Sequence, residues 1–146
     1  MYRERLERLI DVLTRVEQSR LPFDMTTWAG YELCNTTACA LGWAAFDPGF
    51  QADGLTLINA WKNEPVFLSM EEYHTAVKAD RRILPMVKYE NVYNYDACQR
   101  LFEISASVAS YLFDPDTYPN GGSETAPAAV IARVQEVIAS KWATRR

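Results

Sequence analysis

The sequence predicts a mainly α fold: a compact single-domain helical protein over residues 1–146, with a small β-hairpin inserted after its second helix. Three observations predict it. Apolar residues recur at helical spacing near both ends of the chain, and an almost wholly apolar stretch, 38–46, lies between them. Two short runs of strand-forming residues, 55–58 and 66–68, follow a turn signal at Asp53-Gly54. The length suits one domain, large enough to bury a core without covalent staples. Apolar residues at 49% and charged residues at 23% are the composition of a globular chain and exclude a disordered one.

The first helix carries Leu6, Leu9, Ile10, Leu13 and Val16 on one stripe, with Glu4–Arg8 and Asp11–Arg15 placed four apart to pair on its exposed faces. Arg20-Leu21-Pro22 ends it, because the residue before proline is pushed out of helical geometry. Residues 23–28 form an ordered connection whose aromatics fold back on the core. A second helix is expected to start at Asn35 or Thr36, both good caps, and to run to Phe46-Asp47-Pro48 as the buried central helix, packed on the first and last. Ser69-Met70-Glu71-Glu72 is a capping box opening a short helix to about Ala79. Residues 83–95 have strand-like content interrupted by Pro85 and read as extended or irregular. Helices follow at about 95–102 and, with Ser105 as cap, 106–113. A last helix, capped at Thr125 with Pro127 in its first turn, carries Val130, Ile131, Val134, Val137 and Ile138 as its stripe.

Cys34-Asn35-Thr36-Thr37-Ala38-Cys39-Ala40-Leu41-Gly42-Trp43-Ala44 is similar to the Cys-Gly-Thr-x-Ala-Cys-x-x-Gly-Trp/His-Ala pattern of a family of small bacterial and phage proteins. Leu101-Phe102-Glu103-Ile104-Ser105, continuing to Leu112-Phe113-Asp114-Pro115, is similar to their Leu-Phe-Gly-Leu-Ser … Leu-Phe-x-Pro stretch. The chain departs from the pattern at Asn35 and Glu103, where the family has glycine. The resemblance implies a bacterial or mobile-element origin and brings no activity or cofactor with it.

Net charge is −4, which disfavours nucleic acid as the default partner. Residues 89–124 hold six acids against Arg100 alone. The charged N-terminus has no apolar stretch of signal-peptide length, and no run approaches the length of a membrane helix, so a cytoplasmic protein is expected. Three cysteines, an odd number, fit a reducing compartment.

Cys34, Cys39, His74 and Cys98 together make a Cys₃His set of the kind that holds structural zinc, but they form no paired knuckles, and buried packing is the preferred reading. Cys34, placed just before the expected second helix, is also a candidate nucleophile, with His74 as the sole histidine that could serve as its base. Lys78, Arg81, Arg82 and Lys88, followed by Tyr89, Tyr93 and Tyr95, are a candidate surface for single-stranded nucleic acid, since cations track phosphates and rings stack on bases. The alternative for them is a solvated charge run beside core aromatics. Residues 95–112 resemble a helix-turn-helix, yet the second helix has no Arg or Lys to reach DNA, so an αα corner is expected. Asp114 and Asp116 lack the register of a calcium loop and read as turn caps. No glycine-rich phosphate loop or catalytic triad motif is present. The sequence therefore favours a non-enzymatic interaction module that binds a protein partner or itself, with no cofactor and no catalytic or metal site.

Overall fold

The computed structural model describes residues 1–25, 29–32, 35–59, 64–65, 83–87, 92–119, 121–122 and 124–140. Helix α1 (Arg3–Gln18) buries Leu6, Leu9, Val12, Leu13 and Val16 on the stripe that the 3.6-residue period requires. It ends in a Schellman turn: the Leu21 N–H donates to Val16 O at 3.0 Å and the Arg20 N–H to Glu17 O at 3.1 Å. Arg20 takes the left-handed position of that turn, φ 50°. The turn closes the helix ahead of the proline. The expected Glu4–Arg8 and Asp11–Arg15 pairs give way to tertiary ones. Arg8 binds Asp53, Arg15 Nη2 lies 2.9 Å from Asp47 Oδ1, and Arg3 pairs with Glu7 on the open surface. Asp47 and Asp53 are held by a folded turn, so they outcompete carboxylates on freely rotating surface side chains.

The second helix starts later than its caps suggested. Asn35–Ala38 is strand β2, antiparallel to β1 (Ala29–Glu32) with Ala29 opposite Ala38 and Glu32 opposite Asn35. Two adjacent β-branched threonines favour extended backbone there over a helical first turn. Helix α2 (Ala40–Ala44) is buried at every residue, with Cys39 as its extended N-cap. Phe46-Asp47-Pro48 stops α2 and at once begins α3 (Pro48–Ala52). Asp47 Oδ2 accepts the Phe50 N–H at 3.2 Å, and Pro48 supplies the preset φ of a first turn. At Gly49 a Cβ would lie 2.9 Å from the side-chain atoms Arg8 Nε and Asp47 Oδ2, so a larger residue there would push on both partners. Gly54, at φ 97°, makes the turn into the sheet.

Strands β3 (Leu55–Asn59), β4 (Glu64–Pro65), β5 (Ile83–Val87) and β6 (Val92–Tyr93) form an antiparallel sheet in the order β4-β3-β5-β6. The expected hairpin partner, 66–68, lies outside the described residues, and the described pairing falls on Ile58–Pro65 and Asn59–Glu64. The insertion is also larger than a hairpin: 83–87 is a full strand, with Leu55 opposite Val87 and Asn59 opposite Ile83. Pro85 is tolerated because β6 pairs only with Met86 and Val87, leaving that side of Pro85 outside the ladder. The capped helix expected after Ser69 lies outside the described residues.

Helices α4 (Asn94–Phe102) and α5 (Ala106–Phe113) make the expected corner, with Ser105 Oγ accepting the Val108 N–H at 3.2 Å. A 3₁₀ turn (Pro115–Thr117) leads to α6 (Pro127–Ala139), which buries Val130, Val134 and Val137. Its N-cap is Ala126. Thr125, the expected cap, instead donates its hydroxyl to Gly121 O at 2.6 Å, tying down the preceding loop. Helix α1 lies at the centre of the packing, against α2, α4 and α6, while α6 also packs on α5. Phe50, Phe102 and Phe113 form the aromatic heart of the core, with ring centroids 5.9 and 5.7 Å apart. Helical residues outnumber strand residues, and the fold is mainly α. Among the described residues no helix is long and apolar enough to cross a membrane.

Candidate functional site

Two of the four Cys₃His candidates can be placed. Cys39 and Cys98 are both buried in the core, and the charge of one acts on the other. Burial pushes the Cys39 thiol up to about 11, against the opposing pull of the Gly42 and Leu41 backbone N–H groups at the start of α2. Burial and then the Cys39 charge hold Cys98 well above the ordinary thiol range. Both are thiols at neutral pH, packed as small apolar groups. The helix-start position that the sequence assigned to Cys34 belongs to Cys39, because the residues after Cys34 form a strand. Cys34 and His74 themselves lie outside the described residues, and among the described residues no three His, Cys, Asp or Glu side chains are grouped to hold a metal.

Lys78, Arg81, Arg82, Lys88 and Tyr89 of the basic-aromatic segment lie outside the described residues, and Tyr93 is placed by its backbone in β6. Tyr95, the last aromatic of that segment, is in the first turn of α4 and 36% exposed. Carboxylates act on it through their charge. Its phenol is raised to about 12, first by burial of the ring's inner part, then by Asp114, the two thiols and Asp116. Residues read separately as a stacking ring and as turn caps thus act on one another through charge.

The carboxylates are held there by a chain of local bonds. Asp114 Oδ1 accepts the Asp116 N–H at 2.9 Å, fixing the 3₁₀ turn as the sequence predicts for a turn cap. Behind the turn, Arg133 of α6 reaches across with both guanidinium nitrogens. Nη1 donates to Tyr111 O at 2.6 Å and to Thr117 Oγ1 at 2.8 Å, and Nη2 donates to Thr117 O at 2.6 Å. The guanidinium carbon sits 3.7 Å from the Tyr118 ring centroid and 4.3 Å from that of Tyr111. Tyr118 donates its hydroxyl to Leu112 O at 2.7 Å, and Tyr111 donates to Glu136 at 2.8 Å. The result is a braced acidic turn, with Asp116 exposed and Asp114 half-buried, whose charges act on Tyr95.

Family models, curated proteins and solved structures give no match to this chain.

Sequence reasoning did not anticipate Arg133 or the influence of the aspartates on Tyr95. Arg133 lies on the polar side of an amphipathic helix, where arginine usually needs no partner. The available signal was composition, the acidic excess over 89–124.

Proposed function

We propose that this chain is a non-enzymatic protein-interaction module, from a bacterium or a mobile element and acting in the cytoplasm, whose acidic face around Tyr95 receives a cationic segment of a protein partner. The observation that carries this reading is the exposure of Tyr95 at the start of α4, in the stretch 89–124 that holds six acids against Arg100 alone, with Asp114 and Asp116 raising its phenol. An arginine or lysine laid over the ring gains the face of the aromatic and the field of two carboxylates together. The same arrangement opposes a nucleic-acid strand at this point, because its phosphates would meet those carboxylates. The acidic excess over 89–124 extends the preference, since it steers basic surfaces toward this side of the molecule. Buried, protonated Cys39 and Cys98 support packing over thiol chemistry.

Calorimetric titration with an arginine- and lysine-rich peptide and, separately, with a single-stranded oligonucleotide tests the proposal. The peptide binds with an affinity that falls as salt rises, and Tyr95→Leu or Asp116→Asn weakens it by about 3- to 10-fold. Oligonucleotide binding tighter than peptide binding, or peptide binding indifferent to both substitutions, rejects it.

A further inference from the structure

We draw no further inference here: the strongest candidate, the open cleft between the end of α1 and the start of α6 that Leu21 and Phe23 line, is a surface for which nothing in the structure shows what covers it.

Discussion

Glu103 sits between α4 and α5 at φ 50°, a region where the Cβ of an L-residue crowds the following carbonyl. It is the left-handed residue of a Schellman turn, since the Ile104 N–H reaches Gln99 O at 3.1 Å. The corner therefore forms despite the strain, because Ile104 is buried and Ser105 caps the next helix. Glu103→Gly removes a strain of about 1–2 kcal/mol and returns part of it as chain entropy in the unfolded state. The expected net gain is about 0.5–1 kcal/mol, read as a higher urea midpoint at unchanged slope. A lower midpoint would show that the glutamate side chain contributes more than its backbone loses.

At the scale of elements, Arg133 welds α6 to the end of α5 and to the 3₁₀ turn through three hydrogen bonds and two aromatic faces. Two of its acceptors are backbone carbonyls, at Tyr111 and Thr117, that the ends of short elements leave without intrahelical partners. Arg133→Ala is expected to lower stability by about 2 kcal/mol, less than the sum of its contacts because its site is half-exposed and water replaces part of them. The same variant should weaken cationic-peptide binding, since Asp114 and Asp116 lose the support behind their turn. An Arg133→Ala protein with wild-type stability and wild-type peptide affinity would show the clamp to be incidental.

For the whole molecule, the buried thiols tie the core to pH. The folded pKa of Cys39, about 11, is raised above the ordinary value of 9.0, and Cys98 is raised in the same direction. The unfolded chain therefore loses these protons first. Stability from the two thiols is complete below about pH 9 and falls as pH rises from there through the folded value, by up to about 1.4 kcal/mol per pH unit for each thiol. Tyr95 and Tyr118, both raised from 10.0 mainly by burial, add to the loss higher in the alkaline range. Urea denaturation at neutral pH and near pH ~10 measures the effect, and Cys39→Ala should flatten the pH dependence. Equal stability at the two pH values would mean that the thiols are hydrated in the folded state.

Much of the fold was legible because its signals are local. The α1 stripe, the Ser105 cap, the α5 boundaries and Pro127 in the first turn of α6 depend on residues within four positions of each other, and each stands where the sequence placed it. The errors have the opposite character. Asn35 and Thr36 are good caps in isolation, but pairing with 29–32 makes them a strand, and pairing with β3 does the same for Ile83–Val87. Arg8 and Arg15 had acceptable partners one helical turn away and took fixed ones from the 47–53 turn instead. The candidate site was legible only in its parts: the acidic excess, the tyrosines, the two aspartates. Periodicity and capping chemistry alone thus determined the inward stripe of α1, the Ser105 cap and the bounds of α5. Packing of α4 against α5 decided that Asp114 and Asp116 act on Tyr95, and packing of α2 against the core decided that the Cys39 thiol keeps its proton at neutral pH. Those outcomes turn on which distant segments share a surface and on how much water is left there, and no short window of residues contains either quantity.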